Sequence, residues 1–331
     1  MRHANISLFV PHMGCPHQCS FCNQRTISGS VKKLTPEDVT LTLEKAKSDN
    51  LNPKKTEIAF FGGSFTAIDR RYMVSLLKAA EPYIKKKLFR GIRVSTRPDA
   101  IDEEVLGILK KYGVTAIELG AQSTDDEVLL LNRRGHNRED IINASRLIKK
   151  NGFSLGLQMM TGLLGDTDEK SLKTAEDIIS LRPDTVRIYP TITLEGTYLG
   201  ELYKKGEYSP QTIESAISLC GKLLKRFNDE NIKVIRLGLH SGGNVEEGYL
   251  SGPYHPAFGE LCEGGIYLYE ARRLLKNSSE WEKTLFVNPK EISKMIGQKK
   301  KNIIALKNEG YIISVKGKES LDKYRIETDE R

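Results

Sequence analysis

Residues 14–23 read Gly-Cys-Pro-His-Gln-Cys-Ser-Phe-Cys-Asn and place three cysteines, Cys15, Cys19 and Cys22, in one short loop with the spacing C-x3-C-x2-C. Thiolates are soft ligands and a short loop costs little closure entropy, so this loop predicts a metal site. A structural zinc site or a fully ligated iron–sulfur cluster takes four protein ligands. Three cysteines instead leave one iron of a [4Fe-4S] cluster open to a small molecule. The alternative is a zinc ion whose fourth ligand is His12 or His17.

The composition is that of a soluble globular protein. The chain has 331 residues, of which 39% are hydrophobic and 28% charged, enough for one large α/β domain and a small one. No apolar run reaches the ~20 residues that span a membrane, and no signal-peptide pattern precedes the first apolar segment. Five cysteines, three of them in one loop, do not suggest a disulfide framework, and Cys220 and Cys262 are expected to be packing residues. We therefore expect a cytoplasmic protein without a membrane partner.

The net charge of +8 is unevenly distributed along the chain. Residues 288–331 carry 11 lysines and arginines against 7 acidic residues, which is half of the whole excess. A basic segment of this kind predicts a polyanionic partner such as RNA; the alternative is an ordinary soluble surface.

Apolar segments with the length of buried strands alternate with amphipathic helical patterns along the first 240 residues. The helical patterns include Arg138–Asn151 and Glu169–Leu181, and Thr35 with Pro36 forms a typical helix start. This α/β alternation predicts a parallel sheet covered by helices, as a partial or complete TIM-like β/α barrel. In such folds the chemistry lies at the carboxyl ends of the strands. The predicted strands are Asn5–Val10, Glu57–Phe61, Ile92–Ser95, Thr115–Leu119, Ser154–Met160, Thr185–Tyr189 and Lys233–Leu239.

The pattern divides the chain into three parts. Residues 1–240 form the predicted barrel. Residues 241–280 form a covering segment, in which the Gly-rich stretch His240–Gly265 is expected to be a long loop over the barrel mouth and Tyr267–Lys276 a helix. Residues 281–331 form a small α+β module that starts near Trp281.

The cysteine loop, with the aromatic Phe21 before its last cysteine, resembles the signature of the radical SAM superfamily. The resemblance implies a [4Fe-4S] cluster on the three cysteines, whose open iron binds S-adenosylmethionine. An electron from a donor such as flavodoxin or ferredoxin would cleave this cofactor, and the 5′-deoxyadenosyl radical would take a hydrogen atom from the substrate. Gly62, Gly63 and Ser64, directly after the second predicted strand, resemble the superfamily's glycine motif, whose backbone meets the methionine amino group.

Further blocks resemble the radical SAM domain of the elongator complex catalytic subunit, a family that modifies tRNA. They occur in the family's order and cover most of residues 5–240. By this resemblance Phe21, Gln122, Arg134 and Gln158 belong to the cofactor site, where an amide or a guanidinium group suits the ribose and carboxylate of S-adenosylmethionine. The matching blocks are Thr96–Asp99, Ile117–Ser123, Arg134–His136, Arg182–Thr191, Gly196–Thr197 and Glu201–Gly206.

The same resemblance implies which residues meet the adenine and the substrate. Tyr189 and Pro190 are expected to flank the adenine. Tyr189, Tyr203, Lys204 and Lys205 are expected to face the substrate, and the first three are the catalytic candidates. The alternative for the lysines is a solvated basic helix end.

Two departures from the family pattern affect the expected reaction. Ser95 stands where related enzymes carry a glutamate, so one cofactor contact is not expected here. Too few residues follow position 240 for the family's acetyltransferase domain. Transfer of a group derived from acetyl-CoA is therefore not carried over to this chain.

The tail predicts the order strand, helix, loop, helix, strand, strand. Its loop Ile296–Lys300 resembles the GXXG loop of a KH module, which clamps the backbone of nucleotides, although Lys300 replaces the second glycine. RNA contacts are expected at Gly297, Gln298, Lys299, Lys300 and Lys301. The alternatives are a winged helix–turn–helix with its wing at Lys316–Lys323, or a structural cap. The predicted elements are Lys283–Asn288, Lys290–Met295, Asn302–Glu309, Tyr311–Lys316 and Lys323–Glu327.

These features predict a cytoplasmic radical SAM enzyme that modifies RNA, with a tRNA base as the leading substrate. One alternative is a radical enzyme that acts on a small molecule, since coproporphyrinogen dehydrogenases share the C-x3-C-x2-C loop. The other is a zinc-stabilised RNA-binding protein without catalysis.

Overall fold

A curved parallel sheet forms the centre of the molecule, whose computed structural model describes residues 4–10, 15, 19–23, 33–49, 51–239, 243–276 and 280–329. The strands are β1 (Ala4–Phe9), β2 (Thr56–Phe61), β3 (Ile92–Thr96), β4 (Val114–Gln122), β5 (Ser154–Thr161), β6 (Thr185–Pro190), β7 (Thr193–Leu194), β8 (Lys233–Leu237), β9 (Tyr249–Ser251), β10 (Glu282–Val287), β11 (Ile312–Gly317) and β12 (Glu327–Thr328). The helices are α1 (Pro36–Ser48), α2 (Arg70–Lys85), α3 (Glu103–Lys111), α4 (Asp126–Leu131), α5 (Arg138–Lys150), α6 (Asp168–Ser180), α7 (Tyr198–Lys204), α8 (Ile213–Asp229), α9 (Gly243–Glu247), α10 (Phe258–Leu275), α11 (Ile292–Ile296) and α12 (Lys301–Asn308).

The main sheet contains seven parallel strands in the order β1-β2-β3-β4-β5-β6-β8. β1 and β8 are its two edges, and no described residue pairs one edge with the other. The barrel is therefore partial, a curled half-barrel, which is one of the two forms that the sequence predicts. All seven predicted strands are confirmed, with ends that differ by at most three residues; β4 extends furthest, to Gln122.

The helices begin where the sequence places capping residues. Thr35 accepts a hydrogen bond from the backbone N–H of Asp38, whose carboxylate in turn accepts from the backbone N–H of Thr35. Asn137 and Asp140 form the same reciprocal cap at the start of α5. These caps confirm the predicted start of α1 and fix the points at which the chain returns from strand to helix.

One face of the main sheet is apolar and the other carries charged side chains. Ile58, Phe60 and Leu157 are fully buried in the hydrophobic core beneath the helices. Because side chains alternate along a strand, the intervening residues project into the lumen of the half-barrel. Charged side chains occupy that inner face, and we call four of them the lumenal ion-pair band: Glu57, Arg93, Glu118 and Arg187.

The segment before the tail differs from the sequence prediction. The stretch predicted as a loop to Gly265 is helical from Phe258 onward, and α10 runs to Leu275. Its glycines explain the difference, because a glycine inside a helix usually weakens it. Here they allow close approach of neighbours: a Cβ on Gly264 would lie 3.4 Å from the carbonyl oxygen of Lys294. Cys262 is fully buried in this helix, and burial raises the pKa of its thiol.

The tail builds a three-stranded sheet in the order β11-β10-β12, with β10 and β11 parallel and α11 and α12 between them. A last strand is present, but the predicted bounds Lys323–Glu327 are wrong, because β12 contains only Glu327 and Thr328. The chain turns before it: Tyr324 has φ +64° and donates its backbone N–H to the hydroxyl of Tyr267 in α10. The strands that would flank a wing lie on opposite sides of β10, so the winged-helix alternative lacks its hairpin.

The tail packs on α10 through one hydrophobic core. Leu285, Met295 and Tyr324 of the tail are buried in the same core as Leu224 of α8 and Tyr267 of α10. The division of the chain at residues 240 and 280 remains a prediction. No described helix has the length and apolar character needed to cross a membrane.

Candidate active site at the mouth of the half-barrel

The cysteine loop follows β1 and is tied to several elements around the mouth. Ser20 donates its backbone N–H to the carbonyl oxygen of Asn132 and its hydroxyl to the Asn132 side chain at 2.6 Å. Its own carbonyl accepts from the backbone N–H of Leu199 in α7. Asn23 donates its side-chain amide to the carbonyl oxygen of Glu195. The loop is therefore held from both the α4 side and the α7 side.

The three cysteines lie close enough to influence one another. Burial, followed by the neighbouring Cys19, raises the pKa of Cys15. Burial, followed by Cys19 and Cys15, raises the pKa of Cys22 to about 12. Among the described residues, no three His, Cys, Asp or Glu side chains lie close enough to hold a metal ion. His12 and His17, the alternative zinc ligands, lie outside the described residues. Ligation of a cluster by the three cysteines stays a prediction.

Arg134 links the cysteine loop to the sheet. Its Nη1 donates to the sulfur of Cys19 at 2.9 Å, and its Nη2 donates to the carbonyl oxygen of Gly120 at 2.6 Å. The guanidinium carbon lies 5.8 Å from the centre of the Phe21 ring. Arg134, predicted as a cofactor residue, thus lies beside Cys19 and Phe21.

The glycine motif after β2 is required by the backbone around it. Gly62 has φ +97°, and a Cβ on it would lie 2.6 Å from the carbonyl oxygen of Val10. Only glycine fits this position, where the ends of β1 and β2 meet. Ser64 shares a hydrogen bond with the hydroxyl of Thr96 at 2.8 Å and accepts the backbone N–H of Arg97. Gly62, Gly63 and Ser64 therefore lie at the mouth, next to the block that begins at Thr96.

Unsatisfied polar atoms collect at this end of the half-barrel. Buried atoms near the mouth without a hydrogen-bond partner among the described residues include Gln122 Oε1, Arg134 Nε, Arg97 Nη1 and Ser95 Oγ. Buried polar groups in native proteins are normally paired, so such a group indicates a missing polar ligand. Gln122 also has a left-handed backbone, with φ +68°. The donors and acceptors present fit a polar cofactor such as S-adenosylmethionine.

Gln158 and Tyr189 lie on the inner face of the sheet. The amide nitrogen of Gln158 donates to Glu118 at 3.0 Å, so part of this side chain is engaged within the lumenal ion-pair band. Burial raises the pKa of Tyr189, while Arg187 acts in the opposite direction. Pro190 is buried at the end of β6, where Thr191 donates its backbone N–H to the carbonyl oxygen of Thr161.

The lumenal ion-pair band was not predicted from the sequence. Arg93 bonds Glu57 at 2.8 Å and Glu118 at 3.0 Å, and Arg187 binds both oxygens of Glu118 at 2.8 and 2.9 Å. These atoms come from strands β2, β3, β4 and β6. The available signal was a charged residue in the middle of an otherwise apolar strand, as in Ile92–Thr96, because a buried charge requires a partner.

Tyr203 and Lys204 lie beside the cysteine loop. Tyr203 packs against a small core that Leu199, Leu202 and Tyr208 form, and Phe21 packs on the same core. Lys204 is exposed and forms an ion pair with Glu195. These two predicted catalytic residues therefore belong to α7, whereas Tyr189 belongs to the inner face of β6.

The predicted RNA loop lies in the tail. Gly297 has φ +78° and ψ 159°, and a Cβ on it would lie 2.9 Å from the side chain of Asn302. Lys299 and Lys300 both have left-handed backbones, with φ +53° and +61°. Gln298, Lys299, Lys300 and Lys301 line the outer side of this loop, and the three lysines are exposed. The Asn302 amide donates to the carbonyl oxygens of Gly264, Lys294 and Met295, which fixes the loop against α10.

Family models, related sequences and solved structures all relate this chain to radical SAM proteins. The radical SAM superfamily model matches residues 9–178, just over half of the chain, and a radical SAM C-terminal domain model matches residues 183–266. The chain is 33% identical over 258 residues to a tRNA uridine(34) acetyltransferase of Methanocaldococcus jannaschii, covering 65% of this chain and 47% of the relative. The corresponding protein of Methanocaldococcus infernus is 31% identical over 256 residues, covering 65% and 48%.

The fold is shared with a solved structure. The archaeal Methanocaldococcus infernus Elp3 with an N-terminal deletion superposes with a TM-score of 0.62 at 23% identity, covering 82% of this chain and 63% of that one. The chain spans about half the length of the curated relatives that it matches. Radical SAM enzymes use a [4Fe-4S] cluster and S-adenosylmethionine, which fits the cysteine loop and the unpaired polar atoms at the mouth. The chain therefore belongs to the radical SAM superfamily and is an enzyme related to the tRNA uridine(34) acetyltransferases.

Proposed function

We propose that this enzyme reductively cleaves S-adenosylmethionine and modifies an RNA, with tRNA as the substrate. The observation that carries the proposal is the group of unpaired buried polar atoms, from Gln122, Arg134 and Arg97, beside the cysteine loop. Similarity to the tRNA uridine(34) acetyltransferases supports tRNA as the substrate. Their acetyl transfer is not part of this proposal, because the chain matches only about half of their length.

Several residues at the mouth have defined roles in this proposal. Cys15, Cys19 and Cys22 hold the cluster, and Arg134 orients Cys19 while it contacts Phe21. Gly62 and Gly63 admit the cofactor's amino group close to the backbone, while Gln122 offers its free Oε1. When bound, the cluster and S-adenosylmethionine supply the radical that removes a hydrogen atom from the substrate.

The tail supplies RNA affinity in this proposal. Lys299, Lys300 and Lys301 are exposed, and α12 begins directly at the loop with its backbone N–H groups and its positive dipole end. Phosphates of the RNA backbone are attracted to such a group of charges. A reduced cluster and an RNA substrate both fit a reducing cytoplasm, with flavodoxin or ferredoxin as the electron donor.

The test uses the full chain, prepared and reconstituted without oxygen. We expect the enzyme to form 5′-deoxyadenosine from S-adenosylmethionine when it is reduced, first with dithionite and then with flavodoxin or ferredoxin. Addition of tRNA should change the yield of 5′-deoxyadenosine. Mass spectrometry of nucleosides from a deletion strain should show the loss of one modified nucleoside. Stoichiometric zinc with no uptake of iron would contradict the proposal. Conversion of coproporphyrinogen with an unchanged nucleoside profile would assign the enzyme to the small-molecule alternative.

A further inference from the structure

Two arginines lie side by side on the inner face of the half-barrel, below the mouth. The register of β6 and β8 pairs Arg187 directly with Arg236. Val186 and Ile188, on either side of Arg187, are fully buried in the core, so Arg187 and Tyr189 project to the opposite face, into the lumen. Two guanidinium groups and a phenol therefore share one wall of the lumen.

The charges of this wall do not balance. Glu118 accepts from both Arg187 and Arg93, and Glu57 accepts from Arg93. Arg236 donates its Nε to the carbonyl oxygen of Gly238 at 2.9 Å, and no carboxylate of the described residues forms an ion pair with it. Among the residues that the structure describes, two carboxylates thus face three guanidinium groups, and no hydrogen bond engages the terminal nitrogens of Arg236, which are available to another anion. Burial and the nearby Arg187 lower the pKa of Arg236, whereas Tyr189 raises it.

The opposite side of this space is aromatic. The guanidinium carbon of Arg187 lies 5.4 Å from the centre of the Phe61 ring. Phe61 lies 6.4 Å from Phe9, centre to centre, and Phe9 is 42% exposed at the edge strand β1. Phe9 is the last residue of β1, which precedes the cysteine loop, and Phe61 is the last residue of β2, which precedes the glycine motif. The arginine pair is therefore located under the candidate active site, and its member Arg187 lies next to a flat apolar surface.

We propose that Arg236, together with Arg187 and the hydroxyl of Tyr189, forms a lumenal subsite for the carboxylate or phosphate group of the molecule on which the radical acts. This inference rests on the proposed function. The two terminal nitrogens of a guanidinium group match two oxygens of a carboxylate or phosphate in one plane. Phe9 and Phe61 hold the flat part of the same molecule. The charged groups of the subsite, Arg236 and Arg187, differ from Gln122 and Arg134 of the cofactor site, and Tyr189 is the residue that both predicted sites share.

The test measures anion binding to the full chain with its cluster and S-adenosylmethionine, without oxygen, by calorimetric titration. The two probes are acetate and inorganic phosphate, which distinguish a carboxylate from a phosphate as the preferred group. We expect Arg236→Gln to weaken the preferred anion roughly tenfold or more, since it removes a charged hydrogen-bond pair. Arg236→Lys keeps the positive charge but loses the paired N–H donors of the guanidinium group, and should give an intermediate affinity. Arg226→Gln, a surface arginine paired with Glu176 and Glu230, is the matched control and should bind as wild type does.

The outcomes separate this inference from the proposed function. Equal anion binding by wild type and Arg236→Gln, or no binding of either anion by wild type, would overturn the subsite. Circular dichroism and iron content of the variant show whether it is folded and loaded. If wild type forms 5′-deoxyadenosine while Arg236→Gln binds anions unchanged, the subsite is wrong and the proposed function stands. If wild type forms none, the proposed function fails, and the anion titrations still decide the subsite.

Discussion

The cysteine loop and the tail loop both surround a predicted ligand site, but the structure holds them in different ways. The cysteine loop is held by contacts from outside it: Asn132 fixes Ser20, and Arg134 fixes the sulfur of Cys19. The tail loop is held by its own left-handed backbone and by Asn302, while its lysines extend into solvent.

This difference matches what each ligand demands. A cluster requires sulfur atoms at fixed positions, so the groups that orient them must be rigid and buried. Phosphate attraction acts over a longer range and tolerates movement, so exposed lysines on a fixed backbone are sufficient. Substitutions in the first loop should therefore have large effects on specific chemistry, and substitutions in the second should have small additive effects.

The largest effect is expected when the three cysteines are removed together. Cys15→Ala/Cys19→Ala/Cys22→Ala should lower the iron content from about four per chain to none, because the cluster loses every protein ligand. Cys220→Ala and Cys262→Ala are the controls, since both thiols are buried away from the loop, and they should retain the iron. Metal analysis of protein reconstituted without oxygen makes the measurement. Iron bound at the wild-type level by the triple variant would show that the loop is not the cluster site.

The next effect concerns the backbone that supports the cysteine loop. Gly62→Ala places a Cβ against the carbonyl oxygen of Val10, whereas Gly152→Ala, at a similar positive φ, meets nothing within 4 Å. We expect the control to lower the free energy of unfolding by about 1–2 kcal/mol. Gly62→Ala should lower it by roughly 1–3 kcal/mol more, because atoms must shift. Urea unfolding measures the free energy of unfolding of both variants. An equal loss of stability in the two variants would show that the ends of β1 and β2 are not tightly packed.

A smaller effect is expected from Arg134. Arg134→Gln removes the hydrogen bond to Cys19, and removal of such a supporting hydrogen bond typically weakens metal binding roughly 10–100-fold. Arg133→Gln is the matched control, since the neighbouring Arg133 is exposed and stacks on Tyr198 at 3.7 Å. Iron release to a chelator, followed without oxygen, measures the difference. The same release rate in both variants would reduce Arg134 to a packing residue.

The smallest effect is expected in the tail. Lys299→Ala/Lys300→Ala should reduce the slope of log affinity against log salt by about one unit for each phosphate that the variant no longer neutralises, measured with tRNA and the full chain. Lys86→Ala/Lys111→Ala, on exposed barrel positions, is the control. Lysine variants are preferable to Gly297→Asp, because the backbone at Gly297 admits glycine almost exclusively and a larger residue meets Asn302. An unchanged slope would make the tail a structural cap.

Much of the half-barrel was predictable because its signals are local. A strand such as Ser154–Thr161 shows as an apolar run, and the Thr35 cap is a chemical property of four adjacent residues. The cysteine spacing and the glycine pair were equally readable. Gln122 is a more informative case: the sequence placed it just beyond the predicted strand Thr115–Leu119, whereas in the structure it is the last residue of β4 and has a left-handed backbone.

The features that were missed depend on contacts between distant segments. Glu118 meets Arg187 across 69 residues, and such a pair follows only from the strand order and the register. The helix of residues 258–275 contains Gly264 and Gly265, which weaken its local signal, and it is stabilised by neighbours that approach closely. The turn at Tyr324 is likewise set by the hydroxyl of Tyr267, 57 residues away.

The shared use of α10 has a consequence for how the molecule unfolds. Tyr267 and Ile266 of this helix are buried together with Leu224 of α8 on one side and with Leu285 and Met295 of the tail on the other. Cutting the chain before residue 281 would leave an apolar face of α10 in water, and the released tail would lose the helix against which its interior packs. The half-barrel and the tail, which look separable in the sequence, should therefore unfold as a single cooperative unit, in one thermal transition rather than two.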